Sequence, residues 1–262
     1  FNYVAGLYYY HEAGDDDAWS PASMRWNADG TAATPIIPLS AGATSPFPDR
    51  ASTAKADSYA AFGQLTWRPA ALNDIASLTI GGRYTHDEKS GHLSKVNGAN
   101  TPYRFSISGD NFDPMVTLTL DPAAGVHFYG KWGTAYRAGG ANARSLTYRS
   151  FGEEQVSTFE AGLKTEFWDR KARFNLAAYS TRYTDIQIDF TAPSAVGGRS
   201  TTETVNAPGK GTIKGIEIDA TLMPLRGLIL SAGYAYTDAQ LPIALNPFNN
   251  NIAQPVYVIL TP

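Results

Sequence analysis

The chain has 262 residues, with 21 basic and 24 acidic side chains, a formal net charge of −3 and no cysteine. That balance argues against nucleic acid as a partner, which would call for a basic surface, and the missing cysteines exclude disulfide frameworks and thiolate metal sites. Charged residues are 17% of the chain, below the roughly 25% of an ordinary soluble domain. No apolar run approaches the roughly 18–20 residues of a membrane helix, so a membrane-spanning reading requires a β-barrel.

Period-two alternation predicts strands at roughly 1–10, 57–68, 76–88, 112–121, 125–137, 154–167, 171–190, 212–223 and 227–238, with a weaker tenth near 254–260. The opening stretch FNYVAGLYYY reads as a strand, without the basic start and small-residue cleavage site of a leader. One phase of the later strands is apolar and holds Phe128, Trp132, Leu163, Leu230 and Tyr234. The other phase holds His127, Lys131, Glu160, Lys164 and Glu217. The strand 171–190 changes parity midway, which predicts a bulge or an uncertain register.

The connections alternate in length. Short ones fall at 69–75, 121–125, 168–172 and 223–227, and long ones at about 11–56, 89–111, 138–153, 191–211 and 239–253. Short turns at one end and long loops at the other are the pattern of an outer-membrane barrel. Aromatics mark two rims: Trp67, Phe167 and Trp168 before short turns, and Tyr8, Tyr9, Tyr10, Tyr84, Tyr136, Tyr183 and Tyr236 before long loops. The expected fold is therefore all-β, an antiparallel up-and-down transmembrane barrel, with the apolar phase toward lipid and the charged phase toward a polar lumen. A soluble β-protein with one packed face is the competing fold.

Three stretches carry a family resemblance: YGKWGTAYRAGGANARSL (129–146), FGEEQVSTFEAGLKTEFWDRKARFNLAAYSTRYTDIQI (151–188) and GKGTIKGIEIDATLMPLRGLILSAGYAYTDA (209–239). Together they resemble the TonB-dependent receptors, in which a strand ending in an Arg-Ala-Gly-Gly motif precedes a Glu-Leu-Gly-Leu-Lys strand, here Glu-Ala-Gly-Leu-Lys. The match departs at Gly152-Glu153, where the family often has Pro-Glu, and at Ala141, where it often has an aromatic. The resemblance implies a 22-strand barrel filled by an N-terminal plug. Residues 1–262 would then be an internal piece of about ten strands, with plug and C-terminal strands lying outside it. It further implies an outer-membrane receptor that takes up a ferric siderophore or other scarce nutrient, energised by the TonB complex through the N-terminal part, with lipid and lipopolysaccharide around it. A passive porin-like barrel and a soluble secreted β-sheet binding protein are the alternatives.

No enzyme chemistry, cofactor or metal site is expected. HEAGD (11–15) lacks the second histidine of a zinc motif, and NAPGKGTIKG (206–215) lacks the spacing of a phosphate loop. His86 with Ser90 has neither a third member nor an oxyanion hole. Asp15, Asp16 and Asp17, and the group Asp110, Asn111 and Asp113, offer oxygens to calcium but read better as solvated loops. For ligand contact, Arg137, Arg144 and Arg149 supply bidentate cations and Tyr148 an aromatic wall. Lipopolysaccharide phosphates or acidic loops are equally good partners for these arginines. If residue 137 pairs with 154, Lys131 faces Glu160 and His127 faces Lys164.

Overall fold

The computed structural model describes residues 1–19, 24–35, 49–73, 75–96, 99–145, 147–193, 200–242, 244–245 and 257–258. Nine strands form one antiparallel sheet in simple sequence order. They are β1 (Asn2–Trp19), β2 (Asp49–Trp67), β3 (Ala76–Val96), β4 (Ala99–Ala123), β5 (Val126–Arg137), β6 (Glu154–Phe167), β7 (Ala172–Thr184), β8 (Lys210–Leu225) and β9 (Leu228–Gln240). Among the described residues the sheet does not close on itself: β1 and β9 each pair on one side only. Among the described residues no helix is long and apolar enough to cross a membrane, so any crossing is made by strands.

Register follows from side-chain alternation. Leu163 pairs with Phe128 on one side and Leu176 on the other. Leu176 pairs with Ile218, and Ile218 with Tyr234. Trp132 pairs with Phe159 and Val116, and Ile80 with Val116 and Leu65. A one-residue slip would send all of these to the opposite face, so each strand's pattern fixes its partner's. Large apolar side chains on this face stay exposed, among them Ile80, Phe159, Leu230 and Tyr234 at 50–60%.

The first four strands run well past their apolar segments. β3 and β4 have 21 and 25 residues, or about 70–85 Å of strand, whereas a tilted crossing of a 25 Å apolar band takes about 35 Å. Of the stretches expected as loops, 89–96 and 99–111 continue β3 and β4, and 11–19 and 49–56 continue β1 and β2. They carry polar residues on both faces, so alternation is silent there. The bulge expected in 171–190 is absent. β7 keeps an unbroken register with both neighbours through Thr184, and Asp185, at φ 54°, ends it. The parity change marks the start of a separate hairpin, Gln187–Pro193 with Ser200–Asn206. Of the expected tenth strand only Tyr257–Val258 is among the described residues, and it pairs with Ala244–Leu245 in a separate sheet; the rest of 254–260 lies outside them.

The upper aromatic rim is also redistributed. Tyr9 pairs with Tyr59, and Tyr84 with Phe112, all four on the apolar face, and the Tyr9 and Tyr59 rings are 5.1 Å apart. Tyr8 and Tyr10 alternate to the polar face. The Arg83 guanidinium sits 4.8 Å over the Tyr8 ring, and the Tyr10 hydroxyl donates to Glu12.

Candidate functional site

Two regions of the polar face carry organised side chains. The first lies along β5–β8. Glu154 pairs with Arg137, which places Lys131 opposite Glu160 and His127 opposite Lys164. Lys131 Nζ is 2.9 Å from Glu160 Oε2, a half-exposed cross-strand pair worth roughly 0.2–1 kcal/mol. The Tyr129 hydroxyl donates to Glu160 Oε1 at 2.7 Å. Its ring lies across Gly162, where an added Cβ would come within 2.5 Å of ring atoms. Tyr179 covers Gly215 in the same way. A tyrosine laid over a cross-strand glycine packs a face that lacks a second layer. His127 and Lys164 do not bond to each other. His127 Nδ1 lies 2.5 Å from Asp121 Oδ1, and the Lys164 ammonium is 5.6 Å above the Tyr129 ring. Glu160, Lys164, Tyr179, Glu217 and Asp219 line a recess of about 490 Å³.

The second region is a cap at the far end of the strands. It consists of the loop 138–153 and the hairpin 187–206. The loop folds back over the polar face of β2–β4. Arg50 Nη1 donates to the carbonyls of Ala143 (2.9 Å) and Ser145 (2.8 Å). Tyr148, expected as a wall for ligand, is instead 3% exposed and packs with Leu93, Val96 and Phe105. Its ring meets Phe105 edge-on at 4.9 Å, and its hydroxyl reaches the Thr53 carbonyl at 3.4 Å. Burial raises the Tyr148 phenol above its ordinary value. Tyr148 also holds φ 57°, a left-handed backbone that a bulky residue keeps only when packing enforces it.

The three arginines differ in their engagement. Arg137 Nη2 is 3.1 Å from Glu154 Oε2 at the loop's stem, and Glu154 also accepts from the Gln187 backbone N–H at 2.8 Å. Arg144 and Arg149 have exposed side chains on the loop, and Arg144 makes contacts within the protein. Sequence reasoning missed the carboxamides of Asn142, Gln187 and Asn206, which bind the two cap segments together. Single Asn and Gln residues in Gly- and Pro-rich stretches give no periodic signal.

Strand alternation disperses the oxygen clusters considered for calcium. Asp15, Asp16 and Asp17 lie in β1 and point to alternate faces. Asp110 Oδ1 takes the Tyr84 hydroxyl and faces His86 Nδ1 at 2.9 Å, while Asp113 accepts from Thr134 on the opposite phase. Among the described residues no three His, Cys, Asp or Glu side chains are grouped to hold a metal ion.

The family model described as "TonB dependent receptor-like, beta-barrel" matches residues 1–258. The fold is similar to that of the ferric yersiniabactin uptake receptor FyuA from Yersinia pestis, at 18% identity and a TM-score of 0.68, over 91% of this chain and 32% of that one. The siderophore receptor PiuA from Acinetobacter baumannii aligns at 17% identity and TM-score 0.61, over 92% of this chain and 35% of that one. The copper transporter OprC aligns at 18% identity and TM-score 0.59, over 90% and 35%. The chain thus spans about a third of the length of these receptors, and at such identities the likeness establishes the fold alone. With the family model matched along nearly its whole length, the chain belongs to the TonB-dependent receptor β-barrel family.

Proposed function

We propose that this chain is the central part of an outer-membrane receptor that takes up a ferric siderophore, driven by the TonB energy-transducing complex through an N-terminal part outside this chain. The observation that carries the reading is the two-faced sheet. Its apolar face bears exposed Ile, Leu, Phe and Tyr side chains in continuous register, suited to lipid. Its opposite face bears the Lys131–Glu160–Tyr129 network and Glu217, suited to a hydrated lumen. The cap lies over that polar face, with Arg144 and Arg149 as the cations offered to an anionic ligand, or to lipopolysaccharide phosphates. Arg137 and Tyr148 act in positioning the loop. Binding and conformational work suffice, and no covalent step is assigned.

FyuA is a ferric yersiniabactin uptake receptor and PiuA a siderophore receptor, which favours a ferric ligand over the copper of OprC. The test is growth of iron-starved cells that lack their own siderophore receptors. Full-length receptor is expected to restore growth on at least one ferric siderophore, and only when the TonB complex is intact. Growth restored equally without that complex would point to a passive pore.

A further inference from the structure

The loop 138–153 and the hairpin 187–206 leave the sheet at the ends of different strands, yet one side chain joins them. Asn206 Oδ1 accepts the Gly152 backbone N–H at 2.7 Å. Its two Nδ2 hydrogens are shared among the carbonyls of Gly152 (3.1 Å), Glu153 (3.0 Å) and Asp185 (2.8 Å). Gln187 adds donations from Nε2 to Ala138 O (3.2 Å) and Gly152 O (3.0 Å), and Asn142 Nδ2 donates to Thr204 Oγ1 at 3.0 Å. The joined main-chain groups have a second role. Ala138, Gly139, Phe151, Gly152 and Glu153 form one wall of a cavity of about 400 Å³, whose opposite wall comes from β3 and β4. That volume lies within the range of small-molecule sites.

Among the described residues, neither cap segment has much core of its own. Ile188, Phe190 and Ala207 form one small cluster, and Leu93, Val96 and Tyr148 another. Polar clasps are therefore what fix one segment against the other. We infer that Asn206 is a positioning residue: it makes the loop and the hairpin a single body and sets the wall of the cavity, so that the cavity opens only when both segments move together. A carboxamide is needed because the site presents one N–H and three carbonyls, and only Asn or Gln offers both acceptor and donors. Asp at this position would keep the acceptor and turn an oxygen toward three carbonyls.

Hydrogen exchange on the folded full-length receptor tests this without any ligand, so its outcome is separate from that of the transport reading. Asn206→Asp is expected to speed exchange by about tenfold or more in both 139–153 and 187–206, with β5 amides unchanged. Residues 1–262 contain no cysteine, so Asn142→Cys and Thr204→Cys are the only thiols in this part of the receptor, and a disulfide between them can be tested. In the Asn206→Asp background it should return protection to both segments when oxidised and lose it when reduced. Response of only one segment, of neither, or of the whole barrel would overturn the inference, as would a formed disulfide that rescues neither segment.

Discussion

Leu163→Arg gives the sharpest test of which face meets lipid. Leu163 lies midway along the apolar face of β6, between Phe167 near the short turn and Phe159 above it, and is flanked by Phe128 and Leu176. An arginine at the middle of the hydrocarbon costs about 2–4 kcal/mol, and near the interface about 0–1 kcal/mol. Ser157 is on the same face six residues on, about 20 Å along the strand and about 14 Å in depth at a 45° tilt. There its cross-strand neighbour on β7 is already a charge, Arg182. Leu163→Arg should therefore shift the folding equilibrium of the full-length receptor by about 30- to 700-fold, and Ser157→Arg by less than about tenfold. Folded and heat-denatured forms separate on a gel, and titration with urea in lipid vesicles gives the difference. Equal costs at the two positions, or a larger one at Ser157, would refute the lipid-facing assignment.

Gly162→Ala would force the Tyr129 ring off its seat and break the hydroxyl's bond to Glu160. A loss of about 1–3 kcal/mol is expected in the same urea titration, while Gly130→Ala, with nothing within 4 Å of the added methyl group, should be nearly silent. Tyr148→Ala removes the ring that pins the cap loop and should cost about 3–5 kcal/mol locally. Limited proteolysis would show cleavage within 139–149 while the barrel stays heat-modifiable; an intact loop would contradict its role as an anchor. Beyond the aromatic rim, His86 lies between Asp110 (2.9 Å) and Glu88 (3.2 Å), and hydrogen bonds to these two carboxylates raise its pKa above the ordinary value. A raised folded value means stabilisation that is complete below the unfolded value near 6.5 and is lost as pH rises through the folded one. Protection factors in the projecting β3–β4 hairpin, which already divide out the base-catalysed intrinsic rate, should therefore fall as pH rises above about 6.5, and His86→Gln should flatten that dependence.

What the sequence disclosed tracks where the two faces of a strand differ in polarity. Along β5, β6, β8 and β9 one phase is apolar and the other polar, so both the strands and their faces are legible, as are the Arg137–Glu154 register and the Lys131–Glu160 pair. Where β1–β4 project into water on both sides, neither face need be apolar, and the same pattern falls silent from about residue 89 to 111. The stretch therefore reads as a loop. The candidate site was less legible. Arginines in a loop announce charge but not partner, and Arg137 turns out to be held by Glu154 at the stem. Tyr148 looks exposed because its neighbours in sequence are polar. Its burial comes from Leu93 and Phe105, more than forty residues away. The clasp by Asn206 rests on four hydrogen bonds between distant segments, and long-range polar contacts have no periodicity to read.

The most direct measurement is the rate of ferric-siderophore uptake by cells carrying the full-length receptor, followed before and after the proton-motive force is collapsed. An energised receptor predicts uptake that saturates with ligand concentration and stops when the force is removed, while bound ligand stays on the cell surface. Uptake that rises linearly with concentration and continues without the force would contradict the account and make this barrel a pore.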